Sequence, residues 1–268
     1  MDDRRPSDDW AGGEAYEPYV GRWSRPVARE FLAWLAVGQG RRWLDVGCGT
    51  GALTSTILAC AGPASVRGVD PSEGYLRVAR AQIDDERAGF ALGDALALPV
   101  PDRSVDAAVS GLVLNFVPDP AAAVAEAVRV TAAGGTVAAY VWDYAGGMRL
   151  MRIFWDAAVA LDPSARLLDE GVRFPLCRPD ALRALFSAAG LADVQVRPID
   201  VATRFRDFDD YWSPFLGGQG PAPGYAMSLA EERRRALRDR IRSSLPLGAD
   251  GGIDLTARAW AVQGIRRA

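Results

Sequence analysis

The sequence predicts an α/β fold built on a parallel sheet, and two observations carry that reading. Short apolar runs alternate with helix-period segments along most of the chain, as βαβ units with right-handed crossovers require. The first such run, in "RRWLDVGCGTGALT" (residues 41–54), ends in closely spaced glycines that lead directly into an apolar helical pattern. Glycines at a strand-to-helix turn allow a tight bend and close approach of a ligand.

The elements follow in order. "SRPVAREFLAWLAVG" reads as an amphipathic helix, with Ser24 as its cap, Pro26 in its first turn, Gly38 at its end, and Val27, Phe31, Trp34 and Leu35 on one face. "RWLDVG", "SVRGVD", "AGFALGD", "SVDAAVSGLV" and "GGTVAAYVWD" read as five strands. Helical patterns fall in "TGALTSTILACA", "SEGYLRVARAQI" and "DPAAAVAEAVRVT". Beyond residue 143 the pattern changes. "MRLMRIFWDAAVALD" reads as an inserted helix, and "RPDALRALFSAAG" with "LADVQVRPID" as helix then strand. "RDFDDYWSPFLGGQGPAPGY" is rich in aromatics, Gly and Pro. "SLAEERRRALRDRIRSSL" reads as a charged surface helix, acids early and Arg late, and "IDLTARAWAVQGI" as a final strand.

Composition narrows the chemistry. The 268 residues are 49% hydrophobic and 24% charged, with a net charge of −3, so a general attraction to nucleic acid or to an anionic membrane is not expected. There is no His and no Lys: no imidazole serves as a base, and no amine forms a Schiff base. Cys48, Cys60 and Cys177 are scattered without metal-ligand spacing, so no metal site is expected. Residues 1–14 have the composition of a disordered tail, no apolar leader or membrane-spanning run is seen, and the expectation is a soluble cytoplasmic protein, monomeric or homodimeric.

The glycine turn has three nucleotide-type readings. A phosphate loop of the GK[ST] kind fails for want of a Lys. A dinucleotide fingerprint fits the spacing of Gly47, Gly49 and Ala52, with Asp70 ending the next strand. Asp45, directly before the glycines, is not explained by a pyrophosphate; it suits a ligand with a positively charged amino or sulfonium end, as in S-adenosylmethionine.

"LDVGCGTG", "GVDPSEGYLRVAR", "LGDALALPVPDRSVDAAVS" and "AEAVRVTAAGGTVAAYVWD", in that order over about residues 41–142, resemble the successive motifs of class I S-adenosylmethionine-dependent methyltransferases. The closest similarity is to the small-molecule branch of the ubiquinone/menaquinone-biosynthesis type. The resemblance implies a Rossmann-like, doubly wound, seven-stranded, mostly parallel sheet with the C-terminal strand antiparallel at one edge. It divides residues 15–268 into an N-terminal lid and helix (15–40), a cofactor-binding core (41–142) and an acceptor-site insertion with the C-terminal sheet edge (143–268).

The resemblance also assigns roles. Gly47 and Gly49 let the backbone approach the methionine part, and Asp45 organises its amino end. Asp70, followed by Pro71, accepts from the ribose hydroxyls, Asp94 accepts from the adenine amino group, and Ala95 offers its N–H to the ring. Ser110 and Gly111 place backbone near the methionine moiety. Tyr16, Tyr19 and Trp23 suit a lid over the sulfonium, or plain packing of the N-terminal helix. Asn115 stands where many relatives carry His and orients the acceptor; Asp143 is the candidate base, or a turn acid; Tyr19 is a further candidate. Trp142, Trp155, Trp212 and Phe215 suit an aromatic acceptor pocket or the core.

The function implied is methyl transfer to O, N or C of a small molecule by in-line displacement, leaving S-adenosylhomocysteine. This chemistry needs alignment and water exclusion more than proton transfer, so the lack of His does not oppose it. The alternatives are a non-methylating cofactor-binding protein, such as a cyclase or isomerase on the same fold, and an NAD-dependent oxidoreductase, against which Asp45 and Asp94 speak.

Overall fold

The computed structural model describes residues 21–218 and 220–268. The tail at 1–14, most of the expected lid, and Tyr16 and Tyr19 lie outside the described residues. Among those described, the chain forms two compact units. The sheet unit takes Ser24–Trp142, Leu176–Ile199 and Ala259–Ala268; the helical unit takes residues 21–23, Asp143–Pro175 and Asp200–Arg258.

A seven-stranded sheet runs in the order β3-β2-β1-β4-β5-β7-β6, with β1 Arg42–Val46, β2 Ser65–Asp70, β3 Ala88–Leu92, β4 Val105–Gly111, β5 Thr131–Trp142, β6 Ala192–Phe205 and β7 Ile253–Ile265. The first five strands pair in parallel, and β7 runs antiparallel to β5 from Thr136↔Ile265 to Trp142↔Ala259. This is the mostly parallel sheet expected, with one correction. The C-terminal strand is not at the edge: it is inserted between β5 and β6, and β6 is the edge strand. Pro198 lies within β6 and donates no ladder hydrogen bond, which an edge strand tolerates.

Strand β1 sits between β2 and β4 and is buried from Trp43 onward. Covered on both sides, it reads as a continuous apolar run rather than an alternation. Leu44 and Val46 pack with Val69, Leu98, Val100, Val105, Ala108 and Val130 in one core cluster. The glycine turn feeds α2 (Ala52–Cys60), and α3 (Glu73–Gln82) and α4 (Pro120–Val130) follow β2 and β4. Helix α3 is capped by Ser72, whose hydroxyl accepts from the Tyr75 N–H at 3.3 Å, and α4 by Asp119, which accepts from the Ala122 N–H at 3.0 Å.

Helix α1 spans Arg22–Leu35, so it starts two residues before the expected Ser24 cap and ends before Gly38. Pro26 forfeits one bond, the one its missing N–H would have made one turn back. The left-handed residue after the helix is Ala36 (φ 48), whose N–H still reaches the Leu32 carbonyl at 3.3 Å. The expected apolar face is the buried one. Val27 and Phe31 are fully buried, and the Phe31 ring lies 4.8 Å from that of Tyr140 on β5.

The helical unit holds α5 (Arg149–Leu161), α6 (Glu170–Arg173), α8 (Phe208–Trp212), α9 (Pro221–Ser228) and α10 (Glu231–Ser244); α7 (Pro179–Ala188) belongs to the sheet unit. The segment read as rich in aromatics, Gly and Pro folds as short helices around a ring cluster. Phe154 stacks on Phe215 at 4.5 Å, Trp155 lies 5.7 Å from Tyr225, and the Tyr211 hydroxyl donates to the Leu150 carbonyl at 2.9 Å.

Truncating Phe31 to Ala removes the ring that seats α1 on the sheet and should cost ~3–5 kcal/mol in urea unfolding. Trp34→Ala, on the rim of the same helix, should cost less than half of that.

Candidate active site

Of the sequence-predicted cofactor residues, all but Trp23 lie at or just beyond the carboxyl ends of β1 to β4, where open α/β sheets bind ligands. Register explains the convergence: Asp45 lies opposite Gly68 on β2 and Val109 on β4.

Asp45 is buried, 1% exposed. Its Oδ2 accepts from the Thr54 hydroxyl on α2 at 2.7 Å, while its Oδ1 is equally buried and has no partner. Burial pushes this carboxyl up to about 7, against the Thr54 hydrogen bonds that favour the ionised form; the nearby negative charge of Asp70 adds to the rise. A buried carboxylate oxygen without a donor is costly, and its simplest complement is a cationic N–H.

The glycines differ in what they permit. Gly47 has φ +73, and a Cβ there would meet the Val113 side chain at 2.6 Å. Gly49 has φ +53, and a Cβ there would meet nothing within 4 Å. Gly47 therefore closes the turn against the protein, and Gly49 keeps the backbone open to a ligand. Asp70 locks the turn: its Oδ2 accepts from the Gly49 N–H and its Oδ1 from the Ser72 N–H, both at 2.9 Å. Burial raises the Asp70 pKa, against these two hydrogen bonds. Each oxygen keeps a further lone pair for hydroxyl donors.

Asp94 is exposed and shapes a tight turn, accepting from the Leu96 N–H at 2.9 Å; Pro71 is exposed as well. Ala95 and Ser110 line one small apolar cavity with Val46 and Val113. Gly111 is packed against Tyr140, whose hydroxyl would sit 2.6 Å from a Cβ. Leu112 follows in a left-handed conformation (φ 63), its N–H held by the Tyr140 carbonyl at 2.8 Å. Such a conformation costs a non-glycine residue ~1–3 kcal/mol and tends to occur at functional turns. It delivers Asn115, on a single 3-10 turn (Leu114–Phe116), with both amide atoms buried and without partners.

Of the predicted site residues, Asp143 and Trp23 fall in the helical unit, as do Trp155, Trp212 and Phe215 of the candidate acceptor pocket, which are buried there. Asp143 is buried and holds a turn: its oxygens accept from the Gly146 N–H at 3.1 Å and the Gly147 N–H at 2.7 Å. This is the turn-acid arrangement, in which each oxygen keeps a further lone pair, as those of Asp70 do. Trp23 is 9% exposed, with its ring 5.7 Å from Phe205 and its indole N–H buried and unpaired.

Sequence reasoning missed Thr54, which orients Asp45 from nine residues downstream and looks in the sequence like any helix residue. It also missed Glu170, which is fully buried and accepts from the Trp155 indole through Oε2 while Oε1 has no partner. Beside it, Arg152 and Asp169 form a buried two-point pair at 2.8 and 2.7 Å. Burial lifts the Glu170 carboxyl to about 8, and the adjacent Asp169 adds to the rise while Arg173 opposes it.

The chain matches the model of a methyltransferase domain over residues 44–139. It is 36% identical over 171 residues to the demethylmenaquinone methyltransferase of Roseiflexus sp. (strain RS-1), covering 58% of this chain and 70% of that one. It is 33% identical over 185 residues to the trans-aconitate 2-methyltransferase of Methylobacterium radiotolerans, covering 65% and 69%. In fold it is similar to phosphoethanolamine N-methyltransferase 2 of Haemonchus contortus, solved with phosphomonomethylethanolamine and S-adenosylhomocysteine, at a TM-score of 0.60 and 18% identity over 98% of this chain and 58% of that one. The chain belongs to the class I S-adenosylmethionine-dependent methyltransferases, of the quinone-biosynthesis type. It is an enzyme of methyl transfer to a small-molecule acceptor. Among the described residues no helix is long and apolar enough to cross a membrane.

Two outcomes follow from this geometry. Gly49→Ala should fold with a loss of only ~1–2 kcal/mol, the left-handed penalty, yet bind S-adenosylhomocysteine poorly in calorimetry; Gly47→Ala should lose more stability because of Val113. Glu170 is protonated when folded and ionised when unfolded between about pH 4.5 and 8, so its favourable contribution is complete below the unfolded value and fades as pH rises through the folded one. Glu170→Gln should therefore gain stability relative to wild type as pH rises over that window, read by urea unfolding at several pH values.

Proposed function

We propose that the carboxyl ends of β1, β2 and β4 hold S-adenosylmethionine in an extended arrangement, and that the enzyme aligns its acceptor without a histidine base. The observation that carries this reading is the unpaired, buried Oδ1 of Asp45 beside a glycine turn with open space at Gly49. When bound, the cofactor supplies an activated methyl group on a sulfonium.

The residues divide the remaining work. Asp45, held at one oxygen by Thr54, presents the other to the cofactor's amino group. Gly47 and Gly49 carry the backbone past the methionyl chain, with Ser110 and Gly111 on the neighbouring strand. Asp70, prealigned by the Gly49 and Ser72 N–H groups, accepts from the ribose hydroxyls, and the exposed Pro71 follows it. Asp94 and Ala95 take the adenine amino group and ring edge. Asn115, with both amide atoms free to pair, orients an acceptor that carries a hydrogen-bonding oxygen or nitrogen next to its nucleophilic atom. Asp143 serves the acceptor side by fixing the Gly146–Gly147 turn. Preorganisation of this kind is where an alkyl transfer gains most of its rate, because the donor is already activated.

By their names, relatives include a demethylmenaquinone methyltransferase and a trans-aconitate 2-methyltransferase, whose acceptors both carry oxygen functions, which supports an oxygenated acceptor here.

The test is the pH dependence of S-adenosylhomocysteine binding. Free Asp45 takes up its proton as pH falls through about 7, and an ammonium partner favours the ionised form. Affinity should therefore fall by up to about tenfold per pH unit below that value and level off above it. Asp45→Asn should flatten the profile, and Asp70→Ala should weaken binding roughly ten- to a hundredfold throughout. A wild-type profile already flat across this range removes Asp45 from the amino end.

A further inference from the structure

The helical unit contains a set of polar atoms that the cofactor reading does not use. Arg22 lies with its guanidinium carbon 4.4 Å from the Trp23 ring centroid and 4.6 Å from that of Phe205. Its Nη1 is paired with Asp210 at 3.3 Å. Its Nε and Nη2 are buried and have no acceptor. The indole N–H of Trp23 is likewise buried and unpaired. So is the hydroxyl of Thr203, which lies on the same buried face of β6 as Phe205, two residues away.

Buried polar side-chain atoms are nearly always paired, and each exception calls for an explanation. Here three side chains, two adjacent on α1 and one on β6 two residues from Phe205, leave four polar atoms unsatisfied. The pattern within Arg22 is informative. The Nε–H and one Nη2–H point in parallel from the same edge of the guanidinium, the fork that matches the two oxygens of a carboxylate. Asp210 occupies the other end, and it is itself held by the Arg206 N–H at 3.0 Å and the Arg206 guanidinium at 3.8 Å. Two arginines thus face one carboxylate, which leaves a positive charge for an incoming anion. The rings of Trp23 and Phe205 lie over the guanidinium, and its Nε and Nη2 are shielded from water, which strengthens a charge-assisted hydrogen bond made there. A planar carboxylate suits a fork flanked by rings better than a tetrahedral oxyanion does.

We infer that the Nε–Nη2 edge of Arg22, the Trp23 indole N–H and the Thr203 hydroxyl form a carboxylate subsite, and that the acceptor of this enzyme is a carboxylic acid. The inference rests on the small-molecule methyltransferase reading above and adds the acceptor's class. S-adenosylmethionine also bears a carboxylate. The acceptor is the favoured source because Trp23, Phe205, Thr203 and Arg22 all lie outside residues 44–139, the stretch that matches the methyltransferase domain and holds the cofactor motifs. In this role Arg22 is a specificity-determining residue: it selects and orients the acceptor and takes no part in bond making.

The experiment uses the full chain saturated with S-adenosylhomocysteine and titrated by calorimetry with benzoate, salicylate, citrate and trans-aconitate, each beside its methyl ester. At least one acid should bind, with its ester about tenfold weaker or worse. Arg22→Lys keeps the charge without the fork and should weaken that acid by about tenfold or more. Thr203→Val preserves shape, should fold at least as stably because an unpaired buried hydroxyl is gone, and should weaken the acid about two- to tenfold. S-adenosylhomocysteine affinity should stay within about threefold of wild type in both variants. If the variants lose S-adenosylhomocysteine instead, the carboxylate is the cofactor's and the acceptor assignment is overturned. If no acid binds, or acids and esters bind alike, the subsite is overturned outright. Failure of wild type to bind S-adenosylhomocysteine at all would refute the methyltransferase reading itself, a result separate from either.

Discussion

The arrangement depends on one electrostatic constraint: an acid is carried on a central strand to a place where water cannot reach it, and only half of it is satisfied. Strand β1 is flanked by β2 and β4, so anything near its carboxyl end is buried. Asp45 occupies that position with one oxygen on Thr54 and one on nothing. The neighbouring features follow from keeping this group in place and reachable. The chain must turn immediately after β1, which requires left-handed backbone at Gly47 and Gly49. The turn must not collapse onto the acid, and Asp70 prevents this by drawing the Gly49 N–H toward β2. The folded protein thereby carries an unfavourable term that a cationic ligand relieves. This is a common way for a binding site to convert stability into affinity.

The sheet was legible in the sequence to the extent that its signals are local. Buried parallel strands announce themselves as short apolar runs, and the glycine turn marks the strand whose end must bend sharply. Strand order is a different kind of information. Placing β7 between β5 and β6 depends on pairings more than a hundred residues apart, such as Tyr140 with Ala261, and no local pattern encodes them. Pro198 did carry a hint, because a strand with a proline in its body belongs at an edge. The short helices α8 and α9 were illegible for a related reason. With five and eight residues they are too short for periodicity, and ring packing of the Phe154–Phe215 kind holds them rather than an amphipathic stripe.

The candidate site divides along the same line. Asp45, Gly47, Gly49 and Asp70 were readable because a strand-turn-helix unit brings near neighbours together, and their grouping in the structure follows the motif order. Thr54 was not readable, since a threonine inside a helix has no sequence mark that separates an orienting hydroxyl from a tolerated one. Asp143 shows the opposite hazard. An acid directly after a strand, at the expected height, reads as a catalytic group, yet the work its two oxygens visibly do is to hold a turn through the Gly146 and Gly147 N–H groups. Burial and position were foreseeable there; the hydrogen-bond accounting was not. The same accounting, applied to Arg22, Trp23 and Thr203, reveals unpaired atoms that no spacing rule links, because the α1 pair and the β6 threonine come from segments about 180 residues apart.

The absence of His and Lys gives these buried carboxyls added weight. Arginine stays charged throughout the physiological range, so it aligns and neutralises but exchanges no protons. Histidine ordinarily supplies the charge change near neutral pH. In this chain that capacity rests with acids moved upward by burial: Asp45, at about 7 on the cofactor-type turn, and Glu170, at about 8 in the helical unit. The two differ in consequence. Asp45 has open backbone beside it at Gly49, so a ligand can reach and reset its protonation. Glu170 is enclosed by its own unit, so its proton is coupled to folding rather than to binding. A methyl transfer that relies on alignment needs no proton relay, and the distribution of groups agrees: the titrating acid near the ligand site meets a charge, and the arginines fix orientation.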